Sequence, residues 1–175
     1  DNFDVSFTSP NIPNAMTNVT INDDDTQALT TSAQSVSVNE GSEAVLTVGL
    51  AFIPSTTITV SLASSAGSVF TVDPSVLTFT PSGAGAPQSA VISGPEDTNT
   101  DNETATLSIS TSAAANVSVS VTNVDNDVQT ILLSSSRVDI SEGNSGSIDV
   151  TLSHAPSSPL TVNVVSADTN AIQFA

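Results

Sequence analysis

Carboxylates dominate the side chains that could do chemistry here. Eighteen acidic residues stand against one basic residue, Arg137, for a formal charge of −17 over 175 residues. Several sit close together. "TINDDDTQA" (20–28) and "TNVDNDVQT" (122–130) each end an alternating apolar run in acids, and "GPEDTNTDN" (94–102) carries Glu96, Asp97 and Asp101. Like charges this near repel, and a shared cation relieves the repulsion. Binding of a hard cation through oxygen is the chemistry such a set suits. The same charge repels phosphate backbones and anionic lipid heads, so neither nucleic acid nor a membrane surface is an expected partner.

Catalytic sets are poorly supplied. His154 is the only histidine and lies in a turn, "SHAPSS". A Ser-His-Asp arrangement with Ser153 and Asp149 can be written, but adjacent residues of one strand point to opposite faces. Cysteine is absent, which removes disulfides, thiolate chemistry and a zinc set. "SGAGAP" (82–87) has no Lys after it and opens no helix, so it reads as a flexible turn and not a phosphate loop. No enzymatic activity is expected, and His154 is expected in a surface turn.

The elements that must position the acids are strands. Thr and Val are frequent, while Ala-Leu-Glu-Lys helical runs are missing. Alternation with period two marks 35–38, 44–50, 57–62, 76–80, 89–94, 103–110 and 117–124. Breaks such as "FIPST", "VDP" and "TPSGAGAP" carry turn residues between them. Seven short strands in about 100 residues, each with one apolar face, predict an all-β, immunoglobulin-like, seven-stranded antiparallel β-sandwich.

The sequence also repeats. "SVSVNEG" (35–41) recurs as "RVDISEG" (137–143), and a shift of 102 positions without gaps pairs Asp23 with Asp125, Asp25 with Asp127, Gln27 with Gln129 and Leu50 with Leu152. The expected organisation is therefore sandwich repeats in tandem. Residues 1–25 read as the C-terminal strands of a preceding repeat, 26–127 as a complete repeat, and 128–175 as the N-terminal strands of a following one.

The middle repeat resembles the Calx-β domain. Its "VNEG" (38–41), "LTFTPSGAGAPQ" (77–88), "GPEDTNTDNETATLSI" (94–109) and "VDND" (124–127) match that family's motifs in order. The resemblance implies tandem sandwiches in extracellular and cell-surface proteins, some of which bind Ca²⁺ through acidic loops at one end. Carried onto this chain, it implies a metal set of Glu40, Glu96, Asp97, Asp101, Asp125 and Asp127. One position departs: where calcium-binding members use an Asp after the third strand, this chain has "SSAG" (64–67), while Asp168 stands in the corresponding "SADTN" of the following repeat. A solvated acidic surface, as in proteins adapted to high salt, is the competing reading.

The expectation is an extracellular or cell-surface, structural or adhesive module in which calcium stiffens a string of sandwiches. Its partners would be neighbouring repeats, copies of itself, or a surface or matrix component. One alternative is a filament subunit, the head of one copy completed by the strands of the next. Another is an accessory domain of a larger secreted enzyme. No stretch of about 20 apolar residues would span a membrane, and residue 1 is expected to follow any signal peptide. Three Asn-x-Ser/Thr sequons, at Asn18, Asn102 and Asn116, are weak hints of glycosylation.

Overall fold

The computed structural model describes residues 2–83, 85–170 and 172. Thirteen strands are present among them: β1 Asn2–Ser9, β2 Ile12–Thr20, β3 Leu29–Thr31, β4 Ser35–Asn39, β5 Glu43–Leu50, β6 Ile58–Ser64 and β7 Thr71–Asp73. After these come β8 Val76–Phe79, β9 Gln88–Ser93, β10 Glu103–Ser110, β11 Val117–Val124, β12 Ile131–Leu133 and β13 Val150–Leu152. No described helix is long and apolar enough to cross a membrane.

Residues 29–124 form two facing sheets. One runs β4-β11-β10-β6-β8 and the other β3-β5-β9-β7. All pairs are antiparallel except β4 with β11, which run parallel. The seven strands expected from alternation are all present, and β3 and β7 join them. Each of these two has three residues, too few for a period of two to show.

The core comes from the inward half of each alternation. Leu46 and Val48 of β5, Val60 of β6, Ile92 of β9, Leu107 of β10 and Val119 of β11 are fully buried. Phe70 and Phe79 fill the centre between the sheets. Each such side chain contributes about 1.5–3 kcal/mol relative to exposure. On β10 and β11 the outward neighbours are Ser and Thr, for example the exposed Thr106 and Ser108 on β10, whereas β5 turns Val45 outward.

Hydrogen bonds recur at the 102-residue shift. Thr47 N donates to Ser32 Oγ at 3.0 Å and Asp149 N donates to Ser134 Oγ at 2.9 Å. Ala66 N donates to Ser64 Oγ and Asp168 N to Ser166 Oγ, at 3.2 and 3.1 Å. The register of β1 on β2, Asp4 opposite Asn18, matches that of β10 on β11, Thr106 opposite Ser120. Burial differs sharply. Every residue from 2 to 26 and from 131 to 150 is exposed, so these segments keep the local pairing without a covered apolar face.

Candidate metal centre

Three neighbouring strands carry their inward rows to the same pole. On β4 the row is Val36, Val38 and then Glu40; on β11 it is Val119, Val121, Asn123 and then Asp125. On β10 it is Ile109, Leu107, Ala105 and then Glu103. Pairing aligns the ends, since Glu103 lies opposite Asn123, Asn123 opposite Val38, and Glu40 N donates to Val124 O at 3.0 Å. Where the apolar side chains stop, carboxylates take over.

Glu40 is the centre of this arrangement. It is 3% exposed, and neither carboxylate oxygen has a partner in hydrogen-bonding geometry. Its oxygens lie in reach of two sets: Glu40, Asp125 and Asp127 bring ligand atoms within 4.8 Å of one another, and so do Glu40, Asp97 and Glu103. Oδ2 of Asp125 and Oε2 of Glu103 are likewise buried without a partner. Burial raises the Glu40 carboxyl above its ordinary value of 4.5, and the charges of Asp97, Asp125 and Glu96 raise it further. The Asn126 backbone amide acts in the opposite direction.

Backbone and amide bonds hold the loops in place. Asp127 N donates to Asp125 Oδ1 at 2.8 Å, Asp125 N donates to Asn102 Oδ1 at 2.8 Å, and Asn126 Nδ2 donates to Glu40 O at 3.2 Å. In the 94–103 loop, Asn99 N donates to Asp97 Oδ1 at 2.8 Å and Asn99 Nδ2 donates to Glu103 Oε1 at 3.0 Å. Two glycines make the approach feasible. Gly41 turns β4 into β5 with φ +65°, and a Cβ there would overlap the Glu96 carboxylate. A Cβ on Gly94 would overlap Asn123, whose Nδ2 donates to Pro95 O at 2.9 Å. Asn123 is 1% exposed and its Oδ1 has no partner, so it adds a neutral oxygen to the same pole.

Of the six acids expected from sequence, Glu40, Asp97, Asp125 and Asp127 enter these two sets. Glu96 is exposed beside Gly41 and acts on Glu40 through its charge. Asp101 is exposed and belongs to neither set, its backbone N donating to Asn99 Oδ1 at 2.6 Å. Glu103 and Asn123 were not singled out by sequence, although carrying the inward alternation of β10 and β11 to its end finds both. Ala66, in "SSAG", places no acid at its loop, and Ser64 Oγ donates to its carbonyl at 2.9 Å.

The fit to a hard cation rests on charge. An ionised carboxylate taken out of water is costly without a compensating positive charge. Arg137 cannot supply it, because its guanidinium pairs with Asp139 at 2.8 Å on the surface. Oxygen-only donors that are carboxylate-rich, with buried lone pairs unused, match the preferences of Ca²⁺ and not those of thiophilic metals. Asp23, Asp24 and Asp25 also come within 4.8 Å of one another, but all three are exposed, and among the described residues no buried acid joins them.

His154 lies in a turn, as expected from sequence, and is half-buried there. Its Nε2 lies 3.2 Å from Asp127 Oδ2, and its side chain is 22% exposed. The physical reason is Gln129, whose Nε2 donates to His154 O at 3.0 Å and draws the turn over the Asp127 end. Gln27 makes the corresponding bond to Phe52 O at 2.9 Å. Ser153 Oγ is engaged by Thr130 N at 2.8 Å, and Asp149 N is bonded to Ser134.

No family model matches the chain, and no curated protein does. The Calx-β resemblance therefore rests on its four motifs. Among solved structures, a chain from a chaperone–tip adhesin complex of CFA/I fimbriae biogenesis is similar at 11% identity and TM-score 0.47, covering 60% of this chain and 59% of that one. A chain from the Salmonella enterica SafA pilin–SafB chaperone complex is similar at 16% identity and TM-score 0.45, covering 59% and 57%. The YadV chaperone is similar at 11% identity and TM-score 0.45, covering 61% of each chain. This chain thus spans about three fifths of the length of each.

Proposed function

We propose that this chain is a non-enzymatic structural module of an extracellular or cell-surface protein, with a calcium-binding pole at the end of its sandwich. Glu40 carries the reading, as a buried carboxylate with both oxygens unpartnered and five further acids around it: Asp97, Glu103, Asp125 and Asp127 in the two sets, and Glu96 beside them. Glu40 would be shared between the two sets. Asp125 and Asp127 lead directly into residues 128–130, so a bound cation would stiffen the passage to the next segment. Binding to the folded state alone also stabilises it, by about 2.7 kcal/mol at a hundredfold excess over Kd. The test is a thermal melt of the whole chain in millimolar Ca²⁺ against NaCl of matched ionic strength. A rise with Ca²⁺ only supports the site, and equal protection by NaCl supports the salt-adapted surface.

A second reading, head-to-tail assembly of copies, is favoured by a separate observation. Phe3, Val5, Phe7 and Val19 stand exposed on the β1–β2 hairpin at the positions that Ala105, Leu107, Ile109 and Val121 occupy, buried, on β10–β11. Sedimentation across a concentration series tests it: growth of polymers with concentration supports assembly, and a monomer at all concentrations overturns it.

A further inference from the structure

We infer that the β1–β2 hairpin of one chain docks on the 131–166 segment of a second copy, in the register that β10–β11 take inside the sandwich. This rests on the assembly reading and adds its partner and its residue pairing.

The sandwich supplies the template. There β10 pairs antiparallel with β6, Ile109 opposite Leu62, and β11 pairs parallel with β4, Val121 opposite Val36. Shifted by 102 positions, Phe7 falls beside Val164 of the second copy and Val19 beside Val138 of the second copy. All four residues are exposed here, at 58%, 57%, 41% and 42% respectively. The apolar floor they would meet includes Ile140, Ile148 and Val150, also exposed, at the positions of the buried Val38, Leu46 and Val48. A composite of these two pieces has no counterpart of β7, β8 and β9. Phe3 and Phe7 add bulk where the sandwich has Ala105 and Ile109.

Charge selects the occupant. On the outer face of the sandwich, Ser35, Ser120 and Thr106 form one neutral row across β4, β11 and β10. In the composite that row becomes Arg137 of the second copy, then Asn18 and Asp4 of the first. Asn18 Nδ2 already donates to Asp4 Oδ1 at 3.0 Å. The chain's single basic side chain, which pairs with Asp139 of its own copy at 2.8 Å, thus heads a row that reaches the hairpin's Asp4 across Asn18, where the complete sandwich has only hydroxyls. Two surfaces of a protein at −17 otherwise repel, so this match is what orients the hairpin.

The absence of native cysteine makes the register directly testable. Ser6 and Val165 take the places of Ser108 and Ala63, opposite each other and facing outward. Full chains carrying Ser6→Cys are mixed with full chains carrying Val165→Cys and oxidised mildly, alongside sedimentation of the unmodified chain. The mixed disulfide is expected as the main product. Arg137→Asp in the Val165→Cys chain should lower its yield roughly tenfold, and Asp4→Arg in the Ser6→Cys chain should restore it. Polymers that give no mixed disulfide, or give Ser6→Cys chains linked to each other, overturn this docking and leave the assembly reading standing. A chain that stays monomeric overturns both.

Discussion

Asp23–Asp25 and Asp125–Asp127 are 102 positions apart, each ahead of a glutamine that latches the next turn, yet only the second gathers around a buried carboxylate. In both, the second Asp of the pair donates its backbone N to the carboxylate two residues earlier, at 3.0 Å for Asp25 and 2.8 Å for Asp127. The difference lies in what surrounds them. Asp125 continues a buried row and meets Glu40 across a parallel pair, whereas Asp23 to Asp25 continue a hairpin whose every residue is exposed. An acidic turn becomes a site only where a packed sheet brings it a desolvated carboxylate.

The largest expected effect breaks this contrast at its centre. Glu40→Gln should abolish the Ca²⁺-dependent rise in melting temperature, on the order of 10 °C at a hundredfold excess over Kd. The same variant should melt higher than the parent in calcium-free buffer at neutral pH, because an unpaired buried charge is gone. Next, Asp125→Asn and Asp127→Asn should each weaken Ca²⁺ binding about tenfold by titration calorimetry, since each removes one charged donor.

A pH series sharpens the same point. The Glu40 carboxyl is raised, so the folded state holds its proton more tightly than the unfolded state. Its contribution to stability therefore falls as pH rises from the ordinary value of 4.5 through the raised value, and stays low above it. Calcium-free melts should show this loss, and Glu40→Gln should flatten it. The smallest expected effect is at the other turn. Asp23→Asn with Asp25→Asn should change stability by less than about 0.5 kcal/mol and leave the calcium response intact.

Much of the site was legible because strand alternation is local. Val36 and Val38 point inward, and Glu40 continues their row, while Asp97, Asp125 and Asp127 were expected through the resemblance to the Calx-β domain. Glu103 was equally legible in principle, two steps before Ala105, but reads as part of an acidic loop unless the row is followed to its end. Glu96 and Asp101 share that loop and look equivalent in sequence. The bonds of Asn99 separate them, holding Asp97 and Glu103 toward the pole and leaving Asp101 outside. His154 against Asp127 could not be read, because the contact depends on Gln129 folding the turn back across 25 residues.

By itself the sequence determined the alternation, the turns and the 102-residue period, hence strands with one apolar face and acids gathered at their ends. These follow from backbone geometry, which sets side-chain direction residue by residue. Only the tertiary structure decided which acids lose water. That depends on β4 lying parallel beside β11, a pairing between residues some 85 positions apart, which closes the pole around Glu40 and leaves Asp23 to Asp25 in solvent.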